Sequence, residues 1–239
     1  MVTHERYLYA LEQAIAEIVA QFEQAPDACL RDADLHAALY HVLQSNELFQ
    51  ALHPTRDGHR TTLVHRAYPS FFAYADGLGL RDETYETQYD LVILNSSFIR
   101  GQDLEVVINA AGQGARALRA LPFEKRPKPA LAAVNLNLVE DLHTDTMLRL
   151  TARLEDLVGA AYDADYGYMV VLCRHWDLEQ NLLQALPVME GWAEDYPQIS
   201  LVAAQSYADQ IGRLFTGRYL NTWKCMAPMP PLDSPSPLP

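Results

Sequence analysis

Four short apolar runs constrain the fold of this 239-residue chain more than any other feature. They cover residues 89–95, 130–139, 168–173 and 199–204. A continuous apolar run of this length is typical of a strand that helices cover on both faces. Helical spacing of apolar residues is found over residues 4–23, 32–42, 144–160 and 177–186. The order predicts an α/β or α+β fold, a mixed sheet flanked by helices.

Weaker patterns fill in the rest of the chain. Residues 62–68 alternate between apolar and polar and are predicted to form a strand. Leu104–Ile108 is predicted to be a further strand, followed by a short helix that ends before Pro122. Asp32 stands where the second helix begins and is predicted to be its N-cap.

The chain reads as one domain with a tail. Residues 1–226 have the length of a single domain and contain no internal repeat. Residues 227–239 contain six prolines, which predicts an extended polyproline-like or disordered segment.

Charge and cysteine content narrow the function classes. Eighteen Lys and Arg against 31 Asp and Glu give a net charge of −13, which disfavours binding to nucleic acid. No apolar run is long enough to span a bilayer. The three cysteines, Cys29, Cys173 and Cys225, form no CxxC pair, which favours reduced thiols and a cytoplasmic location.

Four polar residues stand out against the apolar strands. Asp32 begins a helix, Asp90 begins a buried run, and Asn135 and Asn137 interrupt another. Residues two apart on a strand point to the same face, so the two asparagines project together. Buried amides need hydrogen-bond partners, so these residues indicate a site at the edge of the sheet. The alternatives are an edge strand with a polar face, or asparagines that satisfy neighbouring backbone.

At these residues the chain resembles the PD-(D/E)XK nuclease-like superfamily. The segments that carry the resemblance are Asp32-Ala-Asp-Leu35, Leu63-Val-His-Arg-Ala-Tyr-Pro69, Tyr89-Asp-Leu-Val-Ile-Leu-Asn95 and Ala132-Ala-Val-Asn-Leu-Asn-Leu138. The resemblance implies a restriction-endonuclease-like sheet. In active members a helical acid, a strand acid and an (Asp/Glu)-x-Lys pair hold Mg²⁺ and activate water. Asp32 and Asp90 match the two acids, and Asn135 and Asn137 stand at the (Asp/Glu)-x-Lys positions.

The two asparagines are the departure from the family pattern. An amide oxygen is a neutral and weaker ligand for Mg²⁺ than a carboxylate, and Asn137 supplies neither a cation nor a base. The sequence therefore predicts a catalytically inactive protein that acts as an interaction or regulatory module, without a resident cofactor.

Two other functions remain open. The chain could be a divergent Mg²⁺-dependent nuclease acting on DNA or RNA, with Asp90 as a weak metal ligand. Glu140 or Lys128 would then replace the missing acid or lysine, and His65 and Arg66 would face the site. Alternatively, Gly112-Gln-Gly-Ala-Arg-Ala117 fits the G-x-G-x-x-A pattern of a nucleotide-binding loop that follows a strand.

Partner predictions rest on acidic and aromatic segments. Asp76, Asp82, Glu83 and Glu86 form either a solvated loop or a docking surface for a basic protein. The tyrosines of residues 162–168 and the N-terminal helix favour contact with a protein partner or a second copy. A homodimer is expected, because two-fold dimers are the commonest soluble oligomers.

Overall fold

A computed structural model describes most of the chain, and its elements are named here in chain order. The described residues are 4–28, 31–69, 88–109, 113–140, 142–159, 163–174, 188, 191–192, 194–196, 198–207 and 210–215. The helices are α1 (His4–Gln24), α2 (Asp32–Ser45), α3 (Glu47–Gln50), α4 (Ser96–Gly101), α5 (Leu104–Ile108), α6 (Gln113–Arg119) and α7 (Thr144–Gly159). The strands are β1 (His53–Pro54), β2 (Arg60–Thr61), β3 (Val64–Pro69), β4 (Gln88–Leu94), β5 (Ala130–Val139), β6 (Ala164–Cys173), β7 (Ile199–Tyr207) and β8 (Gln210–Phe215).

A six-stranded mixed sheet forms the centre of the fold, with strand order β3-β4-β5-β6-β7-β8. Strands β5, β6 and β7 run parallel, while the remaining neighbours pair antiparallel. Strand β5 is buried along its length except for the half-buried Leu138, as expected of a mainly apolar strand covered on both faces, and its burial includes Asn135 and Asn137. The predicted class, a mixed sheet flanked by helices, is confirmed.

Helices α1 and α7 lie on opposite faces of the sheet. Val134 of β5 pairs with Tyr168 of β6, whose hydroxyl donates a 3.0 Å hydrogen bond to Glu12 of α1. The next residue, Asn135, donates from Nδ2 to the Arg153 carbonyl of α7 at 3.1 Å. Since successive strand residues point to opposite faces, these two bonds place the helices on either side.

Helix α1 follows its apolar spacing. Six residues at steps of three and four are at most 3% exposed: Leu8, Leu11, Ile15, Ile18, Val19 and Phe22. Full burial of each such side chain contributes about 1.5–3 kcal/mol, so packing rather than helix propensity stabilises α1. The helix packs on α2 and contacts β7.

The predicted strand over residues 104–108 is wrong, because these residues form α5. The Asp103 carbonyl accepts hydrogen bonds from the amides of Val106 and Val107 at 3.0 and 3.1 Å. The carboxylate of Asp57, in the β1–β2 turn, accepts the Leu104 amide at 3.2 Å. Val106 and Val107 are adjacent and both buried, which suits a helix face better than an alternating strand. Contacts from a distant turn therefore outweigh the local preference of β-branched residues for strands.

Several predictions fall on residues outside the described ranges. They concern the helix over 177–186, the acidic cluster Asp76–Glu86, Gly112, Tyr162, Cys29, Cys225 and the 227–239 segment. Cys173 is described and buried, and its Sγ donates to the Glu140 carbonyl at 3.7 Å. Within the described ranges, no helix has the length and apolar character needed to cross a membrane.

Candidate functional site

Several polar and charged side chains meet where β5 extends beyond its pairing with β4. They are called the cluster here: Asp32, His36, Asp90, Asn135, Asn137 and Arg153. The last paired residues are Leu91 and Val134, so Asp90 lies next to Asn135 across the two strands. Beyond that pair, the amides of Leu136 and Leu138 meet carboxylates instead of a neighbouring strand. Asp90 Oδ2 accepts the Leu136 amide at 2.7 Å.

Asp32 makes the equivalent bond one step further along β5. Its Oδ1 accepts the Leu138 amide at 2.7 Å. The prediction that Asp32 is the N-cap of α2 is wrong: Arg31 occupies the cap, and Asp32 is the first helical residue. Asp34 supports the cap instead, because its Oδ2 accepts the Arg31 amide at 3.0 Å. Asp32 is therefore free to turn towards β5.

Asp90 also meets two basic side chains. Arg153 Nη2 of α7 forms an ion pair with Asp90 Oδ2, and His36 Nε2 of α2 lies 3.6 Å from the same oxygen. The Asp90 and Arg153 side chains are 13% and 28% exposed, so water screens this pair only in part. One carboxylate thus connects β4, β5, α2 and α7.

The two asparagines have different surroundings. Asn135 is fully buried, and its Nδ2 donates to the Arg153 carbonyl, so it lies beside the Asp90–Arg153 pair. Its Oδ1 is buried and has no hydrogen-bond partner among the described residues. Asn137 Nδ2 donates to the Val170 carbonyl of β6 at 3.2 Å, which ties this amide to the neighbouring strand. The structure therefore brings Asn135 to Asp90 and Arg153, and leaves Asn137 as a partner of β6 backbone.

None of the four residues predicted to support the site has a recorded contact with Asp90 or Asn135 among the described residues. His65 Nε2 lies 3.0 Å from the Thr62 carbonyl, and burial lowers the pKa of this imidazole. Arg66 is exposed on β3. Glu140 Oε1 pairs with Arg174 Nη1 at 3.3 Å, beyond the ends of β5 and β6.

Lys128 does not replace the lysine of the family pattern. Its Nζ lies 3.1 Å from Asp165 Oδ1 and donates to the Ala164 carbonyl at the start of β6. Asn135 lies seven positions further along, at roughly 3.3 Å per strand residue. That separation is too long for Lys128 to act at the cluster.

The arrangement does not fit the Mg²⁺ that the family resemblance implies. Among the described residues, no group of three or more histidine, cysteine, aspartate or glutamate side chains is placed to hold a metal ion. One oxygen of the Asp90 carboxylate already faces the Arg153 guanidinium, whose positive charge repels a divalent cation. Asp90 as a metal ligand is therefore not supported.

Two basic residues beside Asp90, Arg153 and His36, are not among the residues that the sequence pattern predicts for the site. Arg153 lies between Leu150 and Leu157, both buried, so its helical position puts it beside the apolar face of α7. An arginine beside the apolar face of a helix is the sequence feature that could have indicated a buried acidic partner.

The described part of the glycine segment, residues 113–117, lacks the strand-to-helix loop that nucleotide binding requires. The element before it is the helix α5 and not a strand, and Gly114 lies inside the short helix α6. A Cβ at Gly114 would overlap Cγ2 of Val106. Gly114 is therefore explained by the close approach of α6 to α5.

Two hollows on the described surface lie away from Asp90. Two adjoining cavities of about 760 and 530 Å³ follow α1, with Ala10, Gln13 and Asn46 lining both. Alkyl and polar side chains line the larger one in equal number, and none of the cluster residues lines either. Charged and hydrogen-bonding groups converge at Asp90 instead.

Comparison of the chain with family models, curated proteins and solved structures finds no match.

Proposed function

We propose that this chain is a non-catalytic interaction or regulatory module with a nuclease-like fold of the PD-(D/E)XK kind. The ion pair between Arg153 and Asp90 carries the proposal. A metal-dependent nuclease needs its strand carboxylate for the cation that polarises the phosphate and activates water. Here a side chain of the same protein neutralises that carboxylate.

The remaining positions support the same conclusion. Asn135 offers an amide oxygen where a second carboxylate would be needed, and its amide nitrogen is held by α7. Asn137 is bound to the backbone of β6. A neutral amide neither supplies charge to hold Mg²⁺ nor accepts a proton from water at neutral pH.

The two carboxylates have a structural task that explains their presence without catalysis. The amides of Leu136 and Leu138 extend past the end of the β4 ladder. Leaving a backbone amide without an acceptor costs about 1–3 kcal/mol where it is buried. Asp90 and Asp32 supply those acceptors, so both acids serve the edge of β5.

A cleavage assay tests the proposal directly. The purified full chain is incubated with single-stranded DNA, duplex DNA and RNA in Mg²⁺ or Mn²⁺, beside an Asp90→Ala control. We expect no divalent-cation-dependent cleavage. Cleavage that the Asp90→Ala variant loses would refute the proposal and establish a divergent nuclease. Activity that survives in the variant comes from a contaminant and is removed by further purification.

Calorimetric titration with Mn²⁺ gives a second readout that does not depend on the correct substrate. We expect no saturable heat with the unaltered protein, since the Arg153 guanidinium opposes a cation at Asp90. Saturable Mn²⁺ binding that Asp90→Ala abolishes would contradict the assignment even without cleavage.

A binding module needs a partner, and a second copy of the chain or another protein is the class we propose. The net charge of −13 favours a basic partner surface over nucleic acid. Light scattering of the full chain measures whether the partner is a second copy. A mass of twice 26.9 kDa supports the homodimer, and the monomer mass directs the search to a different protein.

A further inference from the structure

One side of α1 is exposed between Arg6 and Glu17, and it is called the outer face of α1 here. Tyr9 is the large apolar side chain of this face and is 50% exposed. Two adjoining hollows of about 760 and 530 Å³ follow the helix, and Ala10 and Gln13 line both. An exposed aromatic ring beside hollows with small side chains is typical of a surface that another protein covers.

The outer face carries a positive and a negative charge that do not meet within the helix. Arg6 and Glu17 are 11 positions apart, which is about 16.5 Å along the axis and about 20° from three full turns. They therefore lie on one stripe but are too far apart to pair with each other. Among the described residues neither forms an ion pair, and Glu17 Oε1 accepts a hydrogen bond from Gln21 Nε2 at 3.2 Å. Both charges can therefore pair with a second molecule.

A two-fold axis brings these charges together. In a two-fold interface, residue i of one chain contacts residue j of the other, and j contacts i. If two outer faces pack antiparallel about a point midway between Arg6 and Glu17, each Arg6 faces Glu17 of the partner subunit. The same register places Tyr9 against Gln13 of the partner subunit and Ala16 of the partner subunit. Ala16 is half-buried and lines the larger hollow, so its small side chain leaves room for the ring.

We infer that α1 binds α1 of a second copy of this chain in antiparallel orientation, with Arg6 of each chain facing Glu17 of the partner subunit. The inference rests on the proposed function, since it identifies the surface through which the non-catalytic module meets its partner. Two chains of net charge −13 repel each other, so a second copy needs opposite charges in register where the two touch. The outer face of α1 supplies them from one helix, and this self-matching pattern favours a second copy over a different protein.

Sedimentation equilibrium of the full chain over a concentration series tests the inference. We expect a reversible association whose limiting mass is twice 26.9 kDa. Arg6→Glu and Glu17→Arg each turn the two attractive contacts of the dimer into two repulsive ones. Exposed ion pairs are individually weak, but two of them change sign at once, so we expect each variant to weaken the dimer dissociation constant about tenfold.

An equimolar mixture of the two variants is the decisive measurement. The Arg6→Glu chain and the Glu17→Arg chain carry opposite charges at both contacts, so we expect the mixture to recover a dissociation constant within about a factor of three of the unaltered value. Recovery also shows that both variants fold. Glu155→Arg is the matched control, because Glu155 is exposed on α7, on the opposite face of the sheet, and the charge change equals that of Glu17→Arg. It lessens the general repulsion between chains, so we expect its dimer to be no weaker than the unaltered one.

Three results would overturn the inference. They are the monomer mass at every concentration, a dimer that Glu17→Arg weakens no more than Glu155→Arg does, and a mixture of the two charge variants that associates no better than either variant alone. A dimer that ignores the charge reversals places the interface elsewhere and leaves the homodimer of the proposed function intact. The absence of catalysis is reported separately, by Mn²⁺ binding and cleavage.

Discussion

Removal of the Arg153 side chain should destabilise the fold through Asp90. The Arg153→Ala variant leaves the Asp90 carboxylate, which is 13% exposed, without its guanidinium partner. Breaking a fully buried pair costs about 3–5 kcal/mol, while an exposed pair contributes about 0–1 kcal/mol. Arg153 is 28% exposed, so we place the loss at about 2 kcal/mol. For a chain of this length the melting temperature should fall by about 4–8 °C.

Urea and thermal denaturation of four proteins measure this loss and its origin. They are the unaltered chain, Arg153→Ala, Asp90→Asn and the double variant, and the cycle isolates the pairwise coupling. Arg149→Ala is the matched control, because Arg149 lies one turn earlier on α7 and is exposed. We expect the control to change stability by less than about 0.5 kcal/mol. A coupling near zero, or equal losses for Arg153 and Arg149, would refute the assignment of the pair.

Further predictions concern packing, pH and nucleic acid. Gly114→Ala should destabilise the chain by about 1–3 kcal/mol, since its Cβ overlaps Val106, and Val106→Ala should relieve that loss in a denaturation assay. Burial lowers the pKa of His65, so the unfolded chain binds more protons and stability should fall as the pH drops below about 6.5. Urea midpoints should show this pH dependence reduced in His65→Gln and retained in His59→Gln; identical profiles would contradict it. The dissociation constant for duplex DNA at physiological salt should be no tighter than about 10⁻⁴–10⁻⁶ M. Nanomolar binding that weakens steeply with salt would contradict this and indicate a basic surface that the net charge does not show.

The strands of the sheet could be predicted because burial on both faces leaves a strong local pattern. The predicted run 130–139 coincides with β5, and the run 89–95 differs from β4 by one residue at each end. Strand β6 begins at Ala164, four residues before the predicted start. Gly167 is the reason for that difference: a glycine is typical of a turn, yet here a Cβ would come within 3.1 Å of Ile199, so close packing on β7 requires the glycine.

Contacts between distant segments account for what the sequence did not predict. Residues 104–108 have a strand-like composition, but Asp57 accepts the Leu104 amide from a turn 47 positions away. The ion pair between Asp90 and Arg153 is likewise a contact between distant segments. Asp90 and Arg153 are 63 positions apart, and neither local spacing nor composition relates them. The resemblance to a nuclease motif indicates Asp32 and Asp90. Arg153, which neutralises Asp90, lies on α7 and outside the motif.

The four positions Asp32, Asp90, Asn135 and Asn137 can be interpreted as a weakened catalytic site or as groups that complete the end of strand β5. The charge of the neighbouring side chains distinguishes the two interpretations. A carboxylate that holds a metal must keep an oxygen free of internal cations. At Asp90, the oxygen that accepts the Leu136 amide also meets the Arg153 guanidinium, whose charge repels a divalent cation. Asp32 repeats the amide contact at Leu138 without an arginine, as expected of a strand-edge acceptor with a second oxygen exposed to solvent. Acids that continue a β-ladder beyond its neighbouring strand therefore account for the motif-like spacing, and the Arg153 guanidinium opposes a divalent cation at Asp90.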